Sequence, residues 1–336
     1  MKLTAFISLW LLALLHTTLA TEVVPRSTFT EVTNYGDNPT GTRMWLYVPE
    51  TLASKPGVVV GIHWCTGSAQ AYYQGTRWAH YAEIYGFIVI FPQTPYTQDN
   101  CWDVASKMTL THNGGGASNS IANMVKFVIK EYNTDKSKTF VTGTSSGAMM
   151  TNVMAATYPD IFAAGIAYAG VPAGCFRSED NIPDFWNSTC ATGQSIWTQN
   201  QWANVVKNMY PGYDGPRPKM QIYHGSADQT FLGQGITHSI DVFPEEDLKW
   251  FGFADPVKPS STTTVIRPTE TGGLEVSPQW GQCGGIEWTG PRQCASSFKC
   301  VKINDCECSI KRWLNLYANI YTRVFSVPVV VPGVKL

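Results

Sequence analysis

The stretch TFVTGTSSGAMMTNVMAATYPD, Thr139 to Asp160, changes from a short apolar run into a helical pattern across a serine pair flanked by glycines. A serine in such a strand–turn–helix, with glycines two residues to either side, is typical of a nucleophile elbow. The pattern predicts Ser145 as the nucleophile and the Ser146 N–H as one donor to an oxyanion. The pentapeptide alone also suits an ordinary glycine-rich turn, and its flanking strand and helix favour the elbow.

Short apolar runs and helical patterns alternate on both sides of this stretch. Runs typical of buried strands are VVVGI (58–62), FIVIF (87–91), AGIAY (164–168) and KMQIY (219–223). Apolar residues recur at helical spacing over residues 68–86, 118–133 and 146–160. Strands that alternate with helices predict an α/β fold, with a mostly parallel sheet covered by helices on both faces.

Three further residues complete the predicted site. The loop after VVVGI offers the amide of Trp64 or Cys65 as the second oxyanion donor. An elbow of this kind takes its partners in the chain order serine, acid, histidine. Asp228 follows the strand KMQIY, and His238 is the next histidine after it. We therefore predict Asp228 and His238 as the partners of Ser145.

The remaining histidines and acids near the site are weaker candidates. His63 ends a buried strand and His224 sits inside YHGS, so a structural role is favoured for both. Asp241 and Glu245 follow His238 in the chain, which is the wrong order for the acid.

Composition excludes several classes of partner. Lys plus Arg (24) nearly cancels Asp plus Glu (25), and nothing recruits nucleic acid or an anionic membrane. No histidine and carboxylate residues have the spacing of metal ligands, so no metal and no cofactor is expected. We expect a monomer.

The N-terminus and the cysteines indicate secretion. Lys2 precedes the apolar run LTAFISLWLLALL and then TTLA, which predicts a signal peptide rather than a membrane anchor. Secretion makes disulfides probable for the nine cysteines, and NST at Asn187 a glycosylation site. The predicted segments are a signal peptide (1–20), a catalytic domain (21–254), a Ser/Thr/Pro linker (255–278), a cysteine-rich module (279–308) and an atypical tail (309–336).

Two tryptophans lie beside cysteines of the catalytic domain. Trp102 follows Cys101, and Trp186 precedes Cys190 by four residues. Their aromatic faces suit sugar rings, or both could be core residues that shield disulfides. Pairing of Cys65 with Cys101 and of Cys175 with Cys190 is plausible by proximity, and the sequence alone does not fix it.

Several motifs resemble the fungal acetylxylan esterases of carbohydrate esterase family 1, which also includes feruloyl esterases. They are IHWCTGSAQAYY, NCWDV, LTHNGGGASNSIANMV, the stretch quoted first, PKMQIYHGSAD and GQGITHSIDVFPEEDLKWFGFA. The resemblance implies a secreted serine esterase of the α/β-hydrolase fold that acts on acetylated xylan, with Ser145, Asp228 and His238 as its triad.

The connection from Asp228 to His238 departs from this family, whose members carry a much longer segment there. Only nine residues separate the two side chains, and a segment is missing near residues 230–231. Ten residue steps can span roughly 34 Å, so reach does not forbid the triad. The sheet, however, would lose an end strand and expose apolar surface. We expect a poorly folded or weakly active product.

The cysteine-rich module QWGQCGGIEWTGPRQCASSFKCVKIND resembles the family 1 cellulose-binding module. The resemblance implies that Trp280, Trp288 and Asn304 contact cellulose. Beyond Asp305 the sequence CECSIKR lacks the expected aromatics, so we expect weak cellulose binding. Alternative functions are a feruloyl esterase and a catalytically impaired secreted protein that binds carbohydrate.

Overall fold

A computed structural model of the chain describes residues 24–178, 182–224, 244–253 and 256–257, together with short strands between residues 276 and 312. The strands of its main sheet are β1 Phe29–Val32, β2 Arg43–Tyr47, β3 Val58–Ile62, β4 Ile88–Gln93, β5 Thr139–Thr144, β6 Ala164–Tyr168 and β7 Lys219–Tyr223. The helices are α1 Ala69–Gly75, α2 Trp78–Tyr85, α3 Ala117–Tyr132, α4 Ser146–Thr157, α5 Ser188–Ala191, α6 Gln199–Met209 and α7 Pro244–Phe251.

The main sheet has the order β1-β2-β4-β3-β5-β6-β7. Strands β4, β3, β5, β6 and β7 run parallel, whereas β2 is antiparallel to both β1 and β4. The prediction of a mostly parallel sheet is confirmed. The sequence analysis missed β1 and β2, because their burial is incomplete and charged residues such as Glu31 and Arg43 interrupt the apolar pattern.

Helices cover both faces of this sheet, as predicted. One face packs against α3 and α4, with the buried side chains of Ile121 and Met150 facing β-strand residues such as Val60. The other face packs against α1, α2 and α7, whose Tyr72 and Leu248 join the second buried cluster. Alternate residues of β3 serve the two faces, which is why VVVGI is apolar throughout.

The helical pattern over residues 68–86 is two helices rather than one. Ser68 begins α1, and its hydroxyl accepts a hydrogen bond from the Ala71 N–H at 3.0 Å. Helix α2 ends at Gly86, whose φ of 67° is the left-handed conformation that glycine adopts freely. The sequence analysis also missed α6, although Thr198 and Gln201 form a capping box at its start.

A small set of strands is described in the cysteine-rich region. They are β8 Val276–Ser277, β9 Gln282–Gly284, β10 Gln293–Cys294, β11 Phe298–Asn304 and β12 Glu307–Arg312. Strand β12 lies antiparallel to both β11 and β9, and β10 lies parallel to β8. A cysteine-rich module was predicted for residues 279–308.

Strand β7 is the last strand of the main sheet, and it is far less buried than the sequence predicted. Ile222 is 51% exposed, whereas every residue of neighbouring β6 is buried. A cavity of about 430 Å³ opens beside β7, lined in part by Met220, Ile222 and Val206 of α6. The short Asp228–His238 connection was expected to leave apolar surface bare, and that connection lies outside the described residues.

In the described part of the chain, the structure contains no helix with the length and apolarity that a bilayer crossing needs.

The two isoleucines offer a matched test of this exposed edge. Ile166 of β6 is fully buried, so Ile166→Val should lower the free energy of unfolding by about 1 kcal/mol. Ile222→Val should change it by much less, because half of that side chain already faces solvent. Urea unfolding of both variants measures the difference. Equal losses would mean that another part of the molecule covers β7.

Candidate active site

Ser145 lies in the turn between β5 and α4 with backbone angles of φ 56° and ψ −121°. A positive φ is uncommon for a residue that is not glycine, and strained positions of this kind cluster at functional sites. Two hydrogen bonds hold the turn: the Ser145 N–H donates to the Tyr168 carbonyl at 2.8 Å, and the Met149 N–H donates to the Ser145 carbonyl at 3.0 Å. The conformation predicted for a nucleophile elbow is present.

The two flanking glycines allow this turn to approach β3. A Cβ on Gly143 would lie 2.4 Å from the Gly147 carbonyl oxygen. A Cβ on Gly147 would lie 2.2 Å from the Ile62 oxygen and 2.6 Å from the His63 oxygen. Both approaches are to backbone atoms, which cannot swing aside as a flexible side chain can. Any larger residue at either position would therefore push the serine turn away from the sheet.

Ser146 begins α4, so its backbone N–H belongs to the first turn and has no carbonyl four residues earlier within the helix. The start of α4 also carries the positive end of the helix dipole. An amide in this position is suited to bind negative charge that develops next to Ser145.

The loop after β3, which carries the predicted second donor Cys65, is held at several points. The Cys65–Cys101 disulfide joins it to the loop after β4. The Thr66 N–H donates to the Asp99 carbonyl at 2.6 Å, and the Gly67 N–H donates to the Trp64 carbonyl at 3.0 Å. A loop fixed in this way needs little rearrangement when it binds an oxyanion, so the free-energy cost of reorganisation is small. The second disulfide, Cys175–Cys190, is also present.

His63 is buried at the base of this loop, and both ring nitrogens contact backbone groups. Nδ1 lies 2.8 Å from the Trp64 carbonyl oxygen, and Nε2 accepts from the Thr94 N–H at 3.3 Å. These partners require a neutral ring with the proton on Nδ1. Burial lowers the pKa of His63 to about 4, although the bond to Trp64 opposes that shift. His63 therefore has the structural environment that the sequence favoured.

Asp228 and His238 lie outside the described residues. The residues that lead to them are described: Tyr223 ends β7 five residues before Asp228, and α7 begins at Pro244. Tyr223 pairs in register with Tyr168, which in turn pairs with Thr144. Carboxyl ends of neighbouring parallel strands form the usual site of an open α/β sheet, and Ser145 follows directly at this edge.

The two candidate tryptophans differ in exposure. Trp102 is 1% exposed, and its indole N–H donates to the His63 carbonyl at 2.9 Å. Of the two roles considered for it, sugar binding and core packing, its burial agrees with core packing. Trp186 is 51% exposed and contacts Phe176 edge to face. Asn187 begins α5, where its side chain accepts from the Cys190 N–H at 2.9 Å. Trp186 therefore presents an aromatic surface near the second disulfide.

The cellulose-binding candidates are described less fully. Trp280 and Trp288 lie outside the described residues, and Asn304 is the last residue of β11.

Sequence analysis missed one buried pair at this edge of the sheet, Tyr168 and Asp247. The Tyr168 hydroxyl donates to the Asp247 carboxylate at 2.5 Å, and both residues are fully buried. Burial and the nearby carboxylate raise the pKa of Tyr168 well above its usual range. An aspartate beside Leu248 on an apolar helix face was a signal that could have drawn attention to Asp247.

Among the described residues, no group of three or more His, Cys, Asp or Glu side chains could hold a metal ion.

Replacement of Gly147 tests the close approach of the serine turn to β3. Gly147→Ala should lower the free energy of unfolding by about 1–3 kcal/mol, because its Cβ would overlap two carbonyl oxygens. It should also slow the reaction of Ser145 with a fluorophosphonate probe. Gly75→Ala is the matched control, since its nearest contact would be the Trp64 ring at 3.9 Å. Wild-type stability and labelling in Gly147→Ala would contradict the close approach.

Buried His63 should make stability depend on pH. Its folded pKa of about 4 lies below the usual 6.5, so the unfolded chain binds the proton more readily. Stability is therefore full above pH 6.5 and is lost as the pH falls toward 4, by on the order of 3 kcal/mol. Urea unfolding at several pH values should give a steeper acid loss for the wild type than for His63→Gln. Parallel curves would contradict the lowered pKa.

Comparison with known proteins agrees with this geometry. A family model described as esterase PHB depolymerase matches residues 43–193, and one described as fungal cellulose binding domain matches residues 279–306. A probable acetylxylan esterase A from Neosartorya fischeri is 47% identical over an alignment of 349 residues. This alignment covers 87% of this chain and 95% of that protein. A probable acetylxylan esterase A from Aspergillus clavatus is 61% identical over 280 residues, which take in 69% of this chain and 91% of that protein.

A solved structure is similar as well. The acetyl xylan esterase from Aspergillus awamori superimposes with a TM-score of 0.66 at 47% identity, over 68% of this chain and 100% of that one. The alignment with the Neosartorya fischeri protein, at 349 residues, is longer than this whole 336-residue chain, so that relative has residues without a counterpart here. The chain belongs to the fungal acetylxylan esterase family, as a serine carboxylic ester hydrolase with a cellulose-binding domain.

Proposed function

We propose that this protein is a secreted esterase that removes acetyl groups from xylan, with Ser145, Asp228 and His238 as its catalytic triad. The observation that carries the proposal is the strained conformation of Ser145, at φ 56° between β5 and α4. A serine held in this way presents its hydroxyl at the edge of the sheet, where a carbonyl can approach it.

The first chemical step is attack of the Ser145 Oγ on the acetyl carbonyl carbon. His238 accepts the serine proton, and Asp228 orients the histidine and stabilises its charged form. Negative charge develops on the carbonyl oxygen, where the N–H groups of Ser146 and Cys65 stabilise it. The xylan hydroxyl then leaves with the proton from His238, and an acetyl-enzyme remains.

Water completes the reaction. His238 now acts as the base that removes a proton from water, which attacks the acetyl carbon of the acyl-enzyme. Acetate leaves, and the Ser145 hydroxyl recovers its proton. None of these steps requires a metal or another cofactor.

Trp186 is the proposed contact for the sugar, because its exposed face suits stacking on a pyranose ring. The Cys175–Cys190 disulfide closes the loop that carries it. Trp102, proposed from the sequence with Trp186, supports the site from below through its hydrogen bond to the His63 carbonyl. A feruloyl esterase would use the same triad on a larger acyl group.

The predicted segments of the chain have proposed roles in xylan deacetylation. Residues 1–20 direct secretion, residues 21–254 form the catalytic domain, and residues 255–278 link it to the cellulose-binding module at residues 279–308. Trp280, Trp288 and Asn304 contact cellulose weakly, and Asn187 carries a glycan. The enzyme acts as an extracellular monomer, and residues 309–336 form the tail.

A catalytically impaired protein that binds carbohydrate is the second candidate, and a specific observation favours it. Ile222 and the cavity beside β7 are exposed where the longer Asp228–His238 segment of the family would follow this strand. Loss of that segment would weaken the support for the acid and the histidine, while Trp186 stays exposed. The proposed activity is therefore expected to be low in the chain as encoded.

Substitution of the nucleophile separates these candidates. Wild-type protein and Ser145→Ala are assayed on acetylated xylan, methyl ferulate and p-nitrophenyl acetate. We expect wild-type hydrolysis of acetylated xylan, and a loss of about a thousandfold or more in Ser145→Ala. Ser188→Ala, an exposed serine of α5, is the matched control and should keep wild-type activity.

Each result assigns one function. Preference for methyl ferulate would identify the feruloyl esterase, and equal rates in the wild type and Ser145→Ala would overturn the serine mechanism. Retention on xylan without any hydrolysis would favour the carbohydrate-binding protein.

A further inference from the structure

Tyr168, the last residue of β6, contacts the nucleophile turn through its backbone. Its carbonyl oxygen accepts the Ser145 N–H at 2.8 Å. This hydrogen bond fixes the residue whose φ is strained, and it couples the position of the serine to the end of β6. A shift of Tyr168 would therefore be transmitted directly to Ser145.

The ring of Tyr168 contacts the strand that leads to the acid. It stacks on Tyr223 with ring centroids 4.8 Å apart and an angle of 5° between the planes. The next residue strengthens this link, because the Ala169 N–H donates to the Tyr223 carbonyl at 2.9 Å. Asp228 follows Tyr223 by only five residues.

The hydroxyl of Tyr168 contacts the helix that follows the histidine. It donates to the Asp247 carboxylate of α7 at 2.5 Å, in a fully buried position. Asp247 comes nine residues after His238 in the chain. Burial and this carboxylate keep the tyrosine protonated, so that it remains a donor.

We propose that Tyr168 is a positioning residue that joins, through its carbonyl, ring and hydroxyl, three elements: the Ser145 turn, strand β7, which precedes Asp228, and helix α7, which follows His238. This role rests on the triad proposed above. Tyr168 touches no reacting atom of the proposed triad mechanism. It acts through its contacts with Ser145, Tyr223 and Asp247.

Buried charge explains why the hydroxyl link is specific. Asp247 is fully buried on a helix that otherwise packs through apolar residues such as Leu248 and Phe251. A buried carboxylate is costly unless hydrogen bonds stabilise it, so α7 is stable in the position where the Tyr168 hydroxyl meets it. Among the described side chains of α7, Phe251 stacks on Phe140, and apolar stacking of this kind defines a position less sharply.

Four variants test this role in the full-length protein. Tyr168→Phe keeps the ring and the carbonyl but removes the hydroxyl. Asp247→Ala removes the acceptor, Asp247→Asn keeps an acceptor oxygen, and the fourth variant combines Tyr168→Phe with Asp247→Ala. The readouts are kcat and KM on p-nitrophenyl acetate, the fluorophosphonate labelling rate of Ser145, and the melting temperature. Rates are expressed per serine that the probe can label, so that unfolded protein does not contribute.

Tyr158→Phe is the control for loss of a buried tyrosine hydroxyl. Tyr158 is fully buried at the far end of α4, where its hydroxyl accepts from the Asn113 N–H at 3.1 Å. It should lower the melting temperature and leave kcat per labelled site unchanged.

We expect kcat to fall about tenfold in Tyr168→Phe and in Asp247→Ala, with KM within about twofold of the wild type. Asp247→Asn should recover most of the rate, and the double variant should be no slower than the slower single variant, because both changes break one link. A purely structural hydrogen bond would instead lower the melting temperature at constant kcat per labelled site, as in Tyr158→Phe. That result would overturn the proposal, as would losses that multiply in the double variant.

The same data distinguish this role from the triad itself. Wild-type turnover that Ser145→Ala abolishes, together with unchanged kcat in Tyr168→Phe, would refute the positioning role alone. A folded wild-type protein with neither turnover nor labelling would refute the triad and the positioning role together.

Discussion

The close contact between the serine turn and β3 is the constraint on which the rest of the site depends. Two glycines, Gly143 and Gly147, bring the start of α4 within touching distance of the Ile62 and His63 carbonyls. Ser145, at the centre of this turn, has a positive φ of 56°, and α4 begins at the next residue. The close packing of α4 on the sheet therefore also determines the position of the Ser145 turn.

Much of this arrangement could be predicted from the sequence, because its causes are local. Glycine spacing around Ser145 and the unbroken apolar run of β3 identify the elbow and the buried sheet. Contacts that join distant segments could not be found in this way. The Tyr168–Asp247 hydrogen bond joins residues 79 positions apart. Tyr168 ends a predicted strand run, but that pattern does not show which distant residue its hydroxyl contacts. The exposure of Ile222 could not be predicted either, because the burial of an end strand depends on which distant segments pack beside it.

The strands of the main sheet also differ in how deeply they are buried. Near its centre, β3, β5 and β6 are buried on both faces, and the nucleophile turn rises from this part. Strand β7 at the edge is partly exposed, although it leads to the proposed acid. The proposed nucleophile Ser145 therefore follows a strand that is almost wholly buried, whereas the proposed acid Asp228 follows β7, the strand of the main sheet in which no residue is buried.

The Cys65–Cys101 disulfide gives the site a dependence on the cell compartment in which the chain matures. The bond ties the loop after β3 to the loop after β4, and neither cysteine lies within a strand. In a reducing cytosol the two cysteines would stay as thiols, and the loop after β3 would lose this covalent tie. Under the proposed secretion, oxidation of this cysteine pair becomes a maturation step for the esterase. Secretion would deliver the chain to its polymeric substrate and also complete its active site.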